Sequence, residues 1–361
     1  MPASNADPAS DEDIVRATMK DVARAAGVSI KTVSRVVNGE ASVAPDLAER
    51  VRTAVAALNY QPHLGASALR RGDGRSGTIG LLLEDVSNPF SASLHRAVED
   101  EARARGVQVL TGSLDEDPVR ERELTRVFTA RRADGLIIAP VSADLSHLAG
   151  EVRNDTPVVF VDRPASGIPG DTVLSTNTVG ATEAVRHLLS YGHRRIAYFG
   201  DYRKISTARH RCEGYQAALA GAGVQPDPAL MIHDLHTEAA AEAAVMTVLA
   251  QSLPPTALFT SQNLITIGAV RALRRLLLHA DVALVGFDDF PLADLLQPAV
   301  TVVAQDPAAM GQTAARALFA RIDGQAGAPR AHWIRTTLIR RGSGERAPDE
   351  TLLHRKLSTQ L

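Results

Sequence analysis

Residues 19–39 read MKDVARAAGVSIKTVSRVVNG, and they predict two short helices separated by a glycine-centred turn. Gly27 supplies the tight turn that lets the two helices cross steeply. Ser29 is placed to cap the second helix, because its hydroxyl can accept from a backbone N–H two or three residues further on. Helical spacing of apolar residues continues to about residue 58 and predicts an all-helical domain over residues 18–62. The apolar residues at this spacing are Val22, Ala23, Ala26, Val33, Val36, Val37, Leu47, Val51, Ala54 and Leu58.

The outer face of the second helix carries side chains that suit DNA. Near its N-terminal end, the residues predicted to point outward are Ile30, Lys31, Ser34 and Arg35. Lysine and arginine suit guanine or phosphate, and isoleucine suits a thymine methyl group. An ordinary solvated helix face is the alternative interpretation. Charge favours DNA, because residues 18–75 contain nine basic and five acidic residues while the remainder of the chain is net acidic.

Composition limits the classes of protein to which the chain can belong. Its 361 residues, 45% of them hydrophobic, suffice for roughly two or three globular domains. The net charge of −2 requires any DNA-binding surface to be local. A single cysteine, Cys212, can form neither an internal disulfide nor a zinc cluster, so we expect no metal, no cofactor and a reducing cytoplasmic location. Residues 1–17 predict a disordered acidic tail without a secretion signal, and no run approaches the ~18 apolar residues of a membrane span.

From residue 78 onward, short apolar runs alternate with amphipathic helical stretches, which is typical of parallel sheets covered by helices. The rhythm restarts after about residue 162 and predicts two α/β lobes. Ligands bind beyond the carboxyl ends of parallel strands, and a cleft between two such lobes is the natural pocket. Polar residues that end the strands are therefore candidate ligand contacts, although loop residues or helix caps remain the alternative. These residues are Asp85, Asp162, Ser261, Asp288 and Gln305.

The run KDVARAAGVSIKTVSRVVNG, followed by RVRTAVAALNYQPHLGASALRRG, resembles the head and hinge of the lactose-repressor (LacI/GalR) family. The similarity continues through IGLLLEDVSNPF, ADGLIIAP, VDRP, HLLSYGHRRIAYFG, RHRCEGYQAAL, TIGAVRAL, VGFDD, MGQTAARAL and TTLIRRGS. It covers about residues 18–343, and the order and spacing of the motifs together make it highly specific.

This resemblance implies a transcription regulator, most often a repressor, with an all-α helix-turn-helix head. The head would be joined to an α/β periplasmic-binding-protein-like (type I) domain of two lobes with parallel sheets. It also implies a homodimer on a roughly palindromic double-stranded DNA operator, nucleoid-associated when bound, and a sugar, sugar acid or related metabolite as effector. The predicted segments are a hinge helix or linker over 63–77, a two-lobed domain over 78–343 and a flexible tail over 344–361. The first lobe is expected at about 78–162 and 291–323, and the second at about 163–290 and 324–343.

The resemblance places a hinge helix on DNA. Leu69 falls where the family has a leucine that enters the minor groove, and an apolar wedge between base steps kinks the duplex. A stray apolar residue in a flexible linker is the alternative. Ala66 would let two hinge helices approach, and Arg70 would lie near phosphate. The full predicted set of DNA contacts is Lys20, Ser29, Ile30, Lys31, Thr32, Ser34, Arg35, Asn38, Arg50, His63, Ala66, Leu69 and Arg70.

The third helix of the head departs from the family pattern. Relatives usually start this helix with a serine cap and place a threonine three residues later, whereas this chain has Ala44 and Leu47. Pro45 still presets the first turn. Contacts to the DNA backbone are therefore expected to depend more on Arg50, Lys20 and the hinge arginines.

The family's ligand-binding arginine corresponds to Arg211, and an arginine in a cleft can hold hydroxyl pairs or a carboxylate. For Phe90, packing on a sugar face competes with an ordinary core role. Relatives carry an acidic residue where this chain has Thr176, and an Asn-Asp pair where it has Gln262 and Asn263. This loss of negative charge favours an anionic or less hydroxylated effector. The predicted effector contacts are Asp85, Asn88, Phe90, Asp162, Arg211, Gln262, Asp288 and Gln305.

Two other classes of protein could use the same two-lobed scaffold. An enzyme is disfavoured because the sequence lacks a P-loop, a G-x-G-x-x-G after a strand, a G-x-S-x-G elbow and a Cys-His pair at a useful spacing. A periplasmic solute-binding protein would need an export signal and would carry no helix-turn-helix head. Near the C-terminus, Leu353, Leu357 and Leu361 repeat every four residues, but this run is too short for a coiled coil, so a dimer is favoured over a tetramer.

Overall fold

The computed structural model describes residues 17–37, 40, 42–60, 75–152 and 156–351. These residues divide between Ser76 and Gly77 into two units, a helical head and an α/β body. The predicted fold class is confirmed, since the described head is helical and the body contains two largely parallel sheets. The predicted disorder of residues 1–16, most of the predicted hinge and residues 352–361 lie outside the described residues.

The head begins with α1 (Met19–Ala26), which is capped at both ends. Thr18 and Asp21 form a capping box, in which the Asp21 N–H donates to the Thr18 hydroxyl and the Thr18 N–H donates to the Asp21 carboxylate. Gly27 ends the helix in the left-handed conformation, with φ of 63°, and its N–H donates to carbonyls of the last turn. The predicted glycine-centred turn is therefore confirmed.

Two further helices complete the described head, α2 (Ile30–Val37) and α3 (Pro45–Ala57). The Thr32 N–H donates to the Ser29 hydroxyl over 3.1 Å, which confirms the predicted cap of α2. α3 starts with Pro45 in its first turn and has no side-chain cap at Ala44, in agreement with the departure noted in the sequence.

A small apolar core holds the three helices together. Its fully buried centre is Val22, Val33 and Val51, contributed by one helix each. Leu58, the last residue of that apolar pattern, is 37% exposed and directly follows the end of α3. The chain then turns at Asn59, with φ of 45°, and Tyr60 is buried in this core.

The first lobe of the body contains a six-stranded parallel sheet. Its strands are β1 (Thr78–Leu83), β2 (Gln108–Ser113), β3 (Leu136–Ile138), β4 (Val158–Val161), β5 (Asp171–Ser175) and β11 (Ala331–Ile334), paired in the order β11-β5-β4-β3-β1-β2. Its helices are α4 (Pro89–Ala104), α5 (Pro118–Ala130), α6 (Ala149–Val152) and α11 (Pro307–Ile322). Apolar side chains are buried on both faces of the sheet; Leu81 and Leu82 lie in separate core clusters.

The second lobe repeats this plan. Its strands are β6 (Ile196–Phe199), β7 (Met231–Ile232), β8 (Ala257–Thr260), β9 (Ala283–Phe287), β10 (Thr301–Ala304) and β12 (Thr337–Ile339), in the order β12-β10-β9-β8-β6-β7. Only β12 pairs antiparallel within this described sheet. Its helices are α7 (Asn177–Ser190), α8 (Ser206–Gly221), α9 (Glu238–Leu249) and α10 (Asn263–Arg275).

The predicted division of the body into lobes is wrong at three points. β5 and β11 were expected in the second lobe but lie in the first sheet, and β10 was expected in the first lobe but lies in the second sheet. The chain therefore crosses between lobes after β5, after β10 and between β11 and β12. An apolar strand pattern predicts a strand without indicating which sheet it joins, so the crossings were misplaced.

Two smaller features complete the description of the body, and the second differs from its prediction. Directly before α6 the chain forms a 3₁₀ turn, Ser146–Leu148. The tail expected from residue 344 is anchored at its start, because the Glu345 carboxylate accepts from the Thr301 hydroxyl and contacts the His187 ring. The Arg346 carbonyl also lies 2.9 Å from the His193 ring.

Gly27→Ala is expected to destabilise the head by roughly 1–3 kcal/mol, because it combines a left-handed backbone with a collision. A Cβ at Gly27 would lie 2.7 Å from Arg50 Nη2. Hydrogen exchange of the α1 and α2 amides measures the loss. Gly106→Ala is the matched control, since its φ of +68° is similar and nothing lies within 4 Å of the added Cβ. Unchanged exchange protection in α1 and α2 of Gly27→Ala would contradict the argument.

Candidate functional site

The face of α2 predicted to read DNA is accessible. Ile30 is 43% exposed although it is large and apolar, and Lys31 beside it is exposed. The Arg35 Nε lies 3.5 Å from a Glu40 carboxylate oxygen, and both side chains remain open to solvent. The Lys20 and Lys31 ammonium groups make no hydrogen bond or ion pair with the part of the chain that the structure describes. This end of the head therefore presents cations and one apolar side chain.

Three predicted DNA contacts have structural duties within the head. The Arg50 Nη2 donates to the Ala26 carbonyl over 2.6 Å, so its guanidinium ties α3 to the end of α1. The hydroxyls of Ser29 and Thr32 lie 2.9 Å apart within the cap of α2. Ser34 lies on α2 and is half-buried. The other five predicted contacts lie outside the described residues: Asn38, His63, Ala66, Leu69 and Arg70.

In the body, Arg211 joins three strand ends from beneath the cleft. Its Nε donates to Asn177 Oδ1 over 2.7 Å, and its Nη1 donates to the Ser261 carbonyl over 2.6 Å and to Asp288 Oδ2 over 3.1 Å. The guanidinium lies 3.9 Å from the centre of the Phe287 ring. Arg211 is buried, so these contacts compensate the loss of its hydration.

Asp288 and Asp162 occupy equivalent positions in the two lobes. Each directly follows a strand, each has a left-handed backbone with φ of 68° or 67°, and each donates its N–H to a carbonyl of the next strand, Val303 or Val173, over 2.9 Å. The second Asp288 oxygen accepts from Gln305 Nε2 over 2.6 Å. Asp162 has no such partner for Oδ1 among the described residues. The structure therefore places both aspartates directly after strands, as the sequence predicted, and their contact with an effector stays a prediction.

Two buried acceptor atoms at the cleft, Asp162 Oδ1 and Gln305 Oε1, lack a hydrogen bond within the described ranges. Burial raises the pKa of Asp162 and of Glu116. Arg163 Nη1 lies 2.6 Å from Glu116 Oε1 and opposes that rise. An unpaired buried acceptor costs free energy, so Asp162 Oδ1 and Gln305 Oε1 indicate the position of hydrogen-bond donors from a ligand.

A second polar group near the cleft was missed by sequence reasoning. The His236 ring contacts Asp201 of its own lobe, Nδ1 to Oδ1 2.9 Å, and Glu84 of the first lobe, Nε2 to Oε1 3.4 Å. Glu116 and Arg163 belong to the same charged region. Glu84 and Asp201 follow strand ends closely, so the rule that selected Asp85 could have found them. His236 follows β7, a two-residue strand that gave no periodic signal.

Three other predicted effector contacts, Asp85, Asn88 and Gln262, form hydrogen bonds with other residues of the chain. Asp85 accepts from the Ser87 N–H and hydroxyl and forms the turn before α4. Asn88 caps α4 and exchanges amide hydrogen bonds of 2.9 and 3.3 Å with Asn263 of the second lobe. Gln262 donates to Asp201 Oδ2 over 3.0 Å.

Next to this network lies a cavity of about 340 Å³. Phe90 and Pro89 line it from the first lobe, Asp288 and Phe290 from the second, and Gln305 from a crossing between them. Aromatic and polar groups therefore surround one ligand-sized space. None of the described helices is long and apolar enough to cross a membrane.

Comparison with known proteins matches two family models. Residues 18–63 match "Bacterial regulatory proteins, lacI family", and residues 185–344 match "Periplasmic binding protein-like domain". The ribose operon repressor of Haemophilus influenzae is 30% identical over 312 residues, 85% of this chain and 92% of that repressor. The regulator GalS of Salmonella typhimurium is 31% identical over 328 residues, 90% and 96% of the two chains. The Lac repressor dimer bound to operator and an anti-inducer has a TM-score of 0.80 at 26% identity, covering 92% of this chain and 100% of that chain.

Asp288→Asn is expected to lower the free energy of unfolding of the body by about 3 kcal/mol, because the buried Arg211 loses its counter-charge. Asp289→Asn is the matched control. Asp289 pairs with Arg341 at 2.6 Å, but its side chain is 36% exposed, so we expect a loss of at most about 1 kcal/mol. Urea unfolding measures both variants. Equal losses would refute the assignment of Arg211 and Asp288 as the electrostatic anchor.

Proposed function

The chain belongs to the LacI family of bacterial regulatory proteins and is a DNA-binding transcription regulator, and from this premise we propose which residues read DNA and which hold the effector. The observation that carries the proposal is that one chain contains both an exposed, partly cationic α2 and a cleft with unpaired buried acceptors. An enzyme on this scaffold is not favoured, since the relatives are named as repressors and regulators.

For DNA, the proposal assigns base contacts to the exposed end of α2. Ile30 would meet a thymine methyl group, and Lys31 and Arg35 would meet guanine or phosphate in the major groove. Lys20 would contact phosphate. Arg50 would act indirectly, because its guanidinium supports the turn before α2. The structure of the Lac repressor dimer on its operator supports a homodimer on a pseudo-palindromic site.

For the effector, the proposal is a neutral, polyhydroxylated molecule such as a sugar. The relatives include a ribose operon repressor, and a solved structure that is 29% identical holds CelR with cellobiose. The unpaired groups at the cleft are mainly acceptors, which hydroxyl donors satisfy. The anionic effector expected from the sequence loses support. Arg211 is already neutralised by Asp288, Arg163 is paired with Glu116, and His236 faces Asp201 and Glu84, so these cations are committed to carboxylates of the chain.

Regulation would follow from linkage between the two sites. A ligand that binds both lobes favours one separation of the lobes, and a change in that separation alters how a dimer presents its two heads. Operator affinity would then change by the ratio of ligand affinities for the two forms. Titration with the effector determines whether it releases the protein from DNA or recruits it to DNA. We place this regulator in the cytoplasm, on the nucleoid when bound to DNA.

The DNA assignment is tested by affinity for duplexes selected from a random pool with the full-length protein. Arg35→Ala is expected to cost about 1–3 kcal/mol and to relax preference at one position, as for a base contact. Lys20→Ala is expected to weaken binding to all DNA sequences alike and to reduce the slope of log affinity against log salt concentration by about one. Arg52→Ala is the control, because Arg52 lies on α3 and pairs with Glu49 at 2.6 Å. An equal effect of Arg52→Ala would contradict the assignment.

The effector class is tested by calorimetry and thermal shift of the full chain. Ribose, glucose and cellobiose are compared with ribose 5-phosphate and gluconate, and we expect stabilisation by at least one neutral sugar and none by the anions. Asp162→Ala is expected to weaken that sugar by about 10- to 100-fold, because it removes hydrogen bonds to a charged group. Asp144→Ala is the control, since Asp144 is exposed and caps a surface turn. Preferential binding of an anion would overturn the proposal.

A further inference from the structure

The two lobes are joined across the cleft by a histidine between two carboxylates. His236 and Asp201 belong to the second lobe, and Glu84 follows β1 of the first lobe. His236 Nδ1 lies 2.9 Å from Asp201 Oδ1, and Nε2 lies 3.4 Å from Glu84 Oε1. Both ring nitrogens therefore face carboxylates, and a ring that donates from both nitrogens must be protonated.

The half of this arrangement within the second lobe is held firmly. Asp201 accepts from the Tyr202 N–H over 2.7 Å and from Gln262 Nε2 over 3.0 Å. The His236 ring stacks on Tyr202 with centres 4.6 Å apart and planes within 20°. Opening of the cleft would therefore keep the contact between His236 and Asp201 and break the contact with Glu84.

The charges around this ring come from both lobes. Glu116 of the first lobe is paired with Arg163, and its backbone carbonyl accepts from Lys204 Nζ of the second lobe over 3.0 Å. That ammonium also lies 5.4 Å from the centre of the Tyr202 ring. Further out, Arg203 lies 3.9 Å from Asp234, both exposed, and burial lowers the pKa of the neighbouring His233. Glu84 and Asp201 are thus the anions in direct contact with His236.

We propose that His236 is a proton-linked latch of the regulator: closing the cleft brings Glu84 to the imidazolium of His236, and closure is thereby coupled to proton uptake. This inference rests on the proposed function, because it describes how the effector cleft is regulated. Hydrogen bonding to Asp201 and then to Glu84 raises the pKa of His236 to about 10 in this closed form. Without Glu84, the open form has a lower pKa.

The sign of the pH dependence of closure follows from the difference between the closed-form and open-form pKa values of His236. A group whose pKa is higher in the closed form favours closure fully below its open-form pKa, and that contribution is lost as pH rises through the closed-form value of about 10. Between the two pKa values, the ratio of closed to open molecules falls by up to about tenfold per pH unit. The Asn88–Asn263 amide pair also spans the lobes, but it carries no charge and gives no such dependence.

The test measures the separation of the lobes in the full chain without DNA or effector. Spin labels are attached at Val119→Cys in the first lobe and Ala239→Cys in the second, both exposed, in a Cys212→Ser background diluted with unlabelled chain. Distances between the two labels, measured by double electron–electron resonance on samples at pH 7, 8, 9 and 10, should show that the closed population falls as pH rises. Histidine-selective NMR should show His236 protonated at pH 8.

Two substitutions, one on each lobe, separate the latch from a general effect of alkali. His236→Gln and Glu84→Gln keep hydrogen-bonding groups and remove the charges, so both should abolish the pH dependence of the lobe separation. His210→Gln, on α8 of the second lobe, should retain it. Persistence of the dependence in both His236→Gln and Glu84→Gln would overturn the latch. Failure to bind any duplex would instead refute the proposed function, because the distance measurement contains no DNA.

Discussion

The buried guanidinium of Arg211 is the constraint on which the cleft depends. An arginine cannot lose its charge, so burying it requires partners in fixed positions. Asn177, the Ser261 carbonyl and Asp288 supply those partners from the ends of three strands. The result is that the start of α7, which follows β5 of the first sheet, is held to the ends of β8 and β9 of the second sheet. Asp288 in turn holds Gln305, so the constraint extends to a point where the chain passes between the lobes.

The two lobes turn the chain away from a strand in the same way. Asp162 and Asp288 both adopt a left-handed backbone, which aspartate tolerates better than most residues because its side chain is short and polar. In the second lobe the carboxylate is paired with Arg211, whereas in the first it retains an unpaired oxygen within the described region. The same backbone device therefore produces a structural anchor on one side of the cleft and a ligand-ready acceptor on the other.

Sequence reasoning succeeds where the structure depends on neighbours in the chain. The turn at Gly27, the cap at Ser29 and the strand-ending aspartates follow from local patterns, and all are found in the structure. It fails where contacts join distant segments. The pairing of His236 with Glu84, 152 positions apart in the printed sequence, has no periodic signature, and strands β5, β10 and β11 could not be assigned to a sheet. Arg50 was predicted to contact phosphate. Its actual partner, the Ala26 carbonyl, lies 24 residues earlier in the chain, and no local pattern reveals that contact.

The three crossings between lobes also determine the order in which the protein can mature during synthesis. Thr176 and Thr336 come from two of these crossings, and their hydroxyls lie 3.0 Å apart, so the last crossing is fastened to the first. Each sheet receives an edge strand from residues 331–339, which are synthesised after all the other strands of the described sheets. The head, with its short-range contacts, can fold while translation continues, whereas both sheets are completed only after residue 339 has been synthesised. Nascent chains truncated before residue 331 would therefore expose two unfinished sheet edges at once, which makes them substrates for chaperones and proteases.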